Sequence, residues 1–335
     1  MDTLKLIDPK DMRNMVTFFP ELLSEIALES DLKDTIIKIH ENGIDGLCFI
    51  GMGGSSIAGN YVKAIFSEKA TVPMIVERSY TIPKYINKDW IVVAISYSGN
   101  TEETLSSLKT AMNNNLRTIC ITSNGVMEKS GCQFVSLPKN FQPRAAFPLI
   151  FSALLTITEL SLGENITNFK RITKILQEKT NLWGKTIPKP AHFASLFENK
   201  IPLFIGAEHL SAVAYRAKCQ INENSKHLAF NSEIPEANHN EIEGFEDSGE
   251  DLIKPIFLRG NHEFSKISSR LDTTYEMYKE LKLDPLDLRI DCSSTIGEML
   301  ALTHYLDMVS IELAEIKGVN PITGNRISEL KRRLS

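Results

Sequence analysis

Gly46-Leu47-Cys48-Phe49-Ile50-Gly51-Met52-Gly53-Gly54-Ser55-Ser56-Ile57-Ala58-Gly59 passes from an uncharged apolar run, through closely spaced glycines and two serines, into an apolar series at helical spacing. A short buried strand that ends in glycines and enters a helix is the opening unit of a parallel sheet wrapped in helices. The alternation continues on the C-terminal side. Apolar runs at 73–76, 90–95, 117–121 and 134–137 read as strands, and 57–66 and 102–112 read as helices. A second series begins near Pro202, with strands at 203–205, 228–230, 255–258 and 286–290 and helices at 209–222, 265–281 and 298–317. The pattern predicts an α/β chain of doubly wound parallel sheets.

N-terminal to that stretch, residues 9–40 carry apolar positions at helical spacing, broken near 29–31, which predicts two introductory helices. The polar segment 162–200, with Pro188 and Pro190 and at least one helix, at 168–179, reads as the connection between halves. We divide the chain into 1–160 and 161–335. Phe49-Ile50-Gly51 before a helix containing Tyr61 is echoed by Phe204-Ile205-Gly206 before a helix containing Tyr215, a weak sign of duplication.

Two domains also follow from length, since 335 residues exceed the roughly 250–300 at which one core stops growing. Hydrophobic residues at 42% and charged residues at 24% exclude a disordered or fibrous chain. The net charge of −5 argues against nucleic acid as a partner, because no basic footprint is available to neutralise its phosphates. A small phosphate remains compatible, since backbone N–H groups and hydroxyls hold an anion without Lys or Arg. The five cysteines are scattered and form no CxxC pair, which points to a reducing, cytoplasmic setting. Residues 1–25 interleave charges and do not read as a secretion signal. The uncharged stretch 145–158 is interrupted by Pro148 and falls short of the roughly 18–20 residues a membrane helix needs. No membrane partner is expected.

The segment 51–56 can aim its backbone amides at one anion at a helix N-terminus. Its glycine spacing matches neither the dinucleotide fingerprint nor the ATP loop, and no Lys follows. Ser96-Tyr97-Ser98-Gly99-Asn100-Thr101-Glu102-Glu103-Thr104 repeats the arrangement after the strand at 90–95. In a doubly wound sheet ligands sit outside the carboxyl ends of the strands, so both loops can face one phosphate. Alone, the first would also suit a tight turn without a ligand. The second would also suit a helix cap built from Asn100 and Glu103.

These two loops resemble the sugar isomerase (SIS) domain. Gln142-Pro143-Arg144-Ala145-Ala146-Phe147-Pro148, Asn222-Glu223-Asn224 and Pro235-Glu236-Ala237-Asn238-His239-Asn240-Glu241 resemble the bifunctional phosphoglucose/phosphomannose isomerases. The resemblance implies two SIS-type doubly wound (flavodoxin-like) domains with helices on both faces, a homodimer, and no metal or organic cofactor. It implies that Gly53, Gly54, Ser55, Ser96, Ser98 and Thr101 bind the phosphate of a hexose 6-phosphate. Glucose 6-phosphate and mannose 6-phosphate would each be interconverted with fructose 6-phosphate.

Moving a proton between C1 and C2 through a cis-enediol requires an ionisable base and a cation beside the developing oxyanion. The resemblance assigns the base to Glu223 and the cation to Arg144, which would also orient Glu223. It assigns ring opening to His239, donated across the dimer, where two Asn and two Glu could set its tautomer. Gly318-Val319-Asn320-Pro321 followed by Leu330-Lys331 resembles the family's ending and assigns Lys331 to the ring oxygen or hydroxyls. The family commonly has Asp before this Pro and Thr-Pro after it, whereas this chain has Asn320 and Ile322-Thr323, so glucose activity is the firmer expectation. Without the resemblance, Glu223 would read as a solvated helix end, Arg144 as half of a surface ion pair, His239 as a loop residue and Lys331 as a basic helix terminus. The competing readings are a non-catalytic sugar-phosphate sensor and an isomerase of another phosphosugar.

Overall fold

The computed structural model describes residues 3–245 and 252–334. Two compact units are present: one takes in Phe18–Lys174 with the segment ending at Pro9, the other Lys10–Thr17 and the chain from Ile175 onward.

In chain order the helices of the first unit are α2 (Phe19–Leu22), α3 (Ser30–Glu41), α4 (Gly54–Ile65), α5 (Glu102–Asn113), α6 (Gly125–Glu128) and α7 (Phe147–Leu162); α1 (Met12–Thr17) belongs to the second. Its strands β1 (Gly46–Gly51), β2 (Met74–Glu77), β3 (Trp90–Ile95), β4 (Arg117–Thr122) and β5 (Gln133–Ser136) form one parallel sheet in the order β2-β1-β3-β4-β5. Phe49 pairs with Val76 on one side and Val93 on the other. β1 and β3 are buried at every position, as parallel strands covered on both faces must be. Alternate side chains serve the two faces. Cys48, Ile50 and Val92 pack with Ala111 of α5, whereas Phe49 lies against Gly59 of α4.

The stretch 145–158, noted in the sequence only as too short for a membrane, is the start of a core helix. α7 is buried at every residue except the last, and Phe147 meets the ring of Tyr61 edge-on at 4.9 Å. Pro148 does not interrupt it, because it lies in the first turn where no intrahelical N–H is needed.

α8 (Phe169–Thr180) passes between the units. The second unit then contains α9 (Pro190–Ser195), β6 (Ile201–Ala207), α10 (His209–Asn224), β7 (Phe230–Ile234), β8 (Ile253–Arg259), α11 (Ser265–Glu280), β9 (Leu286–Arg289), α12 (Thr295–Ile316) and α13 (Asn325–Leu334). The sheet is parallel, ordered β7-β6-β8-β9. Leu203, Ile205 and Phe257 pack on Leu271 and Tyr278 of α11, while Phe204 turns to Phe197 on the opposite face. α12 is the central helix, packed on α10, α9 and α1, and Arg13 of α1 donates to Glu312 at 2.7 Å.

Two local expectations need correction. The introductory region forms three helical segments rather than two, and α1 packs apart from the others. The strand expected at 228–230 lies at Phe230–Ile234, where polar Asn231, Ser232 and Glu233 are tolerated because β7 is an edge strand. The connecting segment also holds the short helix α9, whose Pro190 is at its start.

Candidate active site

In the first unit β1 delivers the chain into a turn at Gly53, whose φ of 52° favours glycine, and α4 begins at the next residue. Ser55 N–H donates to Met52 O at 3.1 Å and Ser56 Oγ to Gly53 O at 3.0 Å. The N–H groups of Gly53, Gly54 and Ser56 have no acceptor among the described residues, and neither does the Ser55 hydroxyl. This is the donor set an anion needs at a helix N-terminus.

The second loop leaves β3, which neighbours β1. Ser96 is buried and its hydroxyl lies 2.9 Å from that of Thr101, while Ser98 is exposed. The alternative reading of this loop, a cap built from Asn100 and Glu103, is not what forms. Thr101, not Asn100, occupies the N-cap of α5 and makes no capping bond, and Asn100 Oδ1 instead accepts from Val126 N–H at 3.0 Å. The first-turn amides of α5 therefore have no side-chain acceptor, and buried Thr104 Oγ1 also lacks a partner among the described residues.

A third loop, absent from the sequence reading, fixes the second. Gly99 N–H donates to Ser96 O, its carbonyl accepts from Met127 N–H, and Ser123 Oγ donates to Tyr97 O at 2.6 Å. A side chain at Gly99, whose φ is +65°, would collide with the Asn124 carbonyl. Asn124-Gly125 is a turn dipeptide, the only local signal that could have drawn attention to this loop.

Arg144 is half-buried in a turn closed by bonds from Ala145 and Ala146 N–H to Gln142 O, immediately before α7. A Cβ on Gly54 would lie 3.7 Å from Pro143 O and 3.8 Å from Arg144 Cα, so this turn abuts the start of α4. Tyr97 ties the same segment to the second loop: its hydroxyl donates to Pro138 O and accepts from Phe141 N–H, both at 2.8 Å. The first unit thus brings together both loops and Arg144.

In the second unit Glu223 occupies the last turn of α10 and is half-buried. The turn is anchored on α12, where Asn224 Nδ2 donates to Ser310 Oγ at 2.9 Å and Ser225 Oγ to Ser310 O at 2.7 Å. Lys226 Nζ donates to Glu223 O at 2.6 Å and to Thr323 O at 2.7 Å, which pins the C-terminal turn containing Thr323 beside the end of α10. His239 ends a 3-10 turn after β7 and is exposed. None of its polar neighbours bonds the imidazole among the described residues. Asn238 donates to Thr274, Asn240 to Glu236, and Glu241 accepts from Ser232. They hold the loop rather than the imidazole. Lys331 is exposed in the basic last turn of α13 and makes no hydrogen bond to Glu223 or His239 among the described residues. No group of three or more His, Cys, Asp or Glu is placed to hold a metal ion, and no helix is long and apolar enough to cross a membrane, among the described residues.

Residues 45–127 match the SIS domain, and residues 189–334 match the bacterial phospho-glucose isomerase C-terminal SIS domain. The chain is 32% identical over 300 residues to a bifunctional phosphoglucose/phosphomannose isomerase from Aquifex aeolicus, covering 86% of this chain and 90% of the relative. The chain belongs to the bifunctional phosphoglucose/phosphomannose isomerase family. A D-glucosamine-6-phosphate 4-epimerase from Sulfolobus acidocaldarius is 32% identical over 63% of this chain and 68% of its own length. Among solved structures, tagatose-6-phosphate ketose/aldose isomerase from Escherichia coli shares the fold with a TM-score of 0.75 at 12% identity, covering 94% of this chain and 96% of that one.

Proposed function

We propose that this chain interconverts glucose 6-phosphate and mannose 6-phosphate with fructose 6-phosphate by proton transfer between C1 and C2 through a cis-enediol. The observation that carries the reading is the first unit's donor set: the amides of Gly53, Gly54 and Ser56 and the Ser55 hydroxyl, which have no acceptor among the described residues, with the Arg144 turn against Gly54. Gly53, Gly54, Ser55, Ser96, Ser98 and Thr101 hold the phosphate ester. Glu223 removes and returns the proton, Arg144 stabilises the enediolate, and Lys331 contacts the sugar oxygens. His239 opens the ring and is supplied by the second chain of a homodimer, and the enzyme works in the cytoplasm.

Purified protein given fructose 6-phosphate produces glucose 6-phosphate in a coupled assay without added metal; no turnover rejects the reading. Glu223→Gln abolishes turnover and retains binding of the ester, because the phosphate loops are untouched. Mixing inactive Glu223→Gln and His239→Ala chains restores part of the activity if His239 crosses between subunits, and no restoration sinks that assignment. Similarity to the 4-epimerase favours a second reading, action on an amino-sugar phosphate. NMR of the products formed from glucosamine 6-phosphate separates the two.

A further inference from the structure

Glu223, the proposed base, sits in the last turn of α10, where the final carbonyls of a helix lack intrahelical donors and fraying begins. A carboxylate on a frayed turn could not keep its distance to a substrate carbon, so that turn needs partners from outside the helix. Three neighbours supply them. Asn222 Oδ1 accepts from Ala229 N–H at 3.0 Å, on the way to β7, and Asn224 and Ser225, both fully buried, bond Ser310 of α12.

The fourth neighbour, Lys226, is exposed and has a φ of +49°, the left-handed conformation in which glycine is the usual residue just past a helix. A lysine there can fold its ammonium back over the helix end. Its Nζ donates to Glu223 O at 2.6 Å and to Thr323 O at 2.7 Å, and lies 3.5 Å from Asn224 O. Thr323 belongs to a turn after α12 that Ile322 N–H closes on Asn320 Oδ1 at 2.8 Å. A second lysine makes the reverse connection. Lys317, the C-cap of α12, donates from Nζ to Lys226 O at 3.0 Å. It also lies 3.1 Å from His227 Nδ1, which can accept because Nε2, 2.7 Å from Lys200 O, must be the donor. The end of α12 thus holds the Lys226 backbone, while the Lys226 side chain holds the end of α10 and the Thr323 turn together.

We infer that Lys226 is a positioning residue for the isomerisation: its ammonium clasps the Glu223 carbonyl to the Thr323 turn and so fixes the carboxylate for proton transfer. The inference rests on Glu223 serving as the base, as proposed above. Lys226 acts through backbone carbonyls and needs no contact with the sugar. A misplacement of about 1 Å can cost about a hundredfold in rate, so loosening this turn lowers turnover while the phosphate loops keep their hold on the ester.

Two variants test this. Lys226→Gly and Lys226→Met both remove the ammonium, but glycine suits the positive φ whereas methionine keeps the strain of the lysine. With fructose 6-phosphate, well below the melting temperature, both lower kcat by about tenfold to a hundredfold with KM within about twofold of wild type. Amide hydrogen exchange at residues 319–323 becomes about tenfold faster in both and is unchanged in the phosphate loops. A glycine variant with wild-type kcat, a loss confined to KM, or unchanged exchange at 319–323 overturns the inference. If the methionine variant folds poorly, the glycine variant decides alone. Absence of turnover in the wild type is a different result: it sinks the functional reading, and this inference with it.

Discussion

Gly53 and Glu208 share one backbone conformation at corresponding strand-to-helix turns, before α4 and α10. A non-glycine residue is therefore tolerated at this turn, at the strain of a positive φ. Gly53→Ala meets nothing within 4 Å and should cost about 1–2 kcal/mol from φ alone. Gly99→Ala places its methyl inside the Asn124 carbonyl, and should cost more than about 3 kcal/mol because backbone must move on both loops. Urea denaturation midpoints give the order; equal losses would show that the loops are not locked together as described.

Ser55→Ala and Ser98→Ala should act on binding rather than on chemistry. Each removes a hydroxyl that would donate to a phosphate oxygen, and a hydrogen bond to a charged group is worth about 1.5–3 kcal/mol. KM for fructose 6-phosphate rises about tenfold to a hundredfold in each variant while kcat changes little. A loss confined to kcat would place these hydroxyls away from the ester.

Tyr97→Phe tests the link between the second loop and the Arg144 turn. Burial raises the phenol's pKa, so the group stays protonated at neutral pH. Its removal leaves Pro138 O and Phe141 N–H without their partner, at about 1–3 kcal/mol. Thermal stability falls, and kcat/KM falls further than stability accounts for, since Arg144 lies three residues beyond Phe141. Unchanged kinetics would mean that the turn holds its geometry without the tyrosine.

Acid sensitivity should centre on His304, buried on α12 beside Trp183. Desolvation pushes its imidazole from 6.5 down to about 3. The unfolded chain binds this proton and the folded one does not between those values. The contribution is therefore complete above about pH 6.5 and declines as pH falls toward 3, by about 1.4 kcal/mol per pH unit. Denaturation of His304→Leu at a series of pH values should show a shallower acid slope than wild type; identical slopes would assign the effect to other groups.

The Gly, Ser and Thr spacing of the phosphate loops, the buried strands and the order of elements were legible from local pattern. Trp90–Ile95 is an unbroken apolar run because both faces of a parallel strand are covered, and periodicity reports that directly. β7 was misplaced since an edge strand needs no such run, and α7 was overlooked because a helix buried all round has no polar face to reveal its period. Contacts between distant segments left no trace of this kind: the Asn124 carbonyl against Gly99, Tyr97 bonding Pro138 and Phe141, Lys226 joining Glu223 to Thr323, and Glu298 bonding Asn261. Hydrogen bonds and steric exclusion act over a few ångströms in space, whatever the separation along the chain, so folding alone settled these contacts.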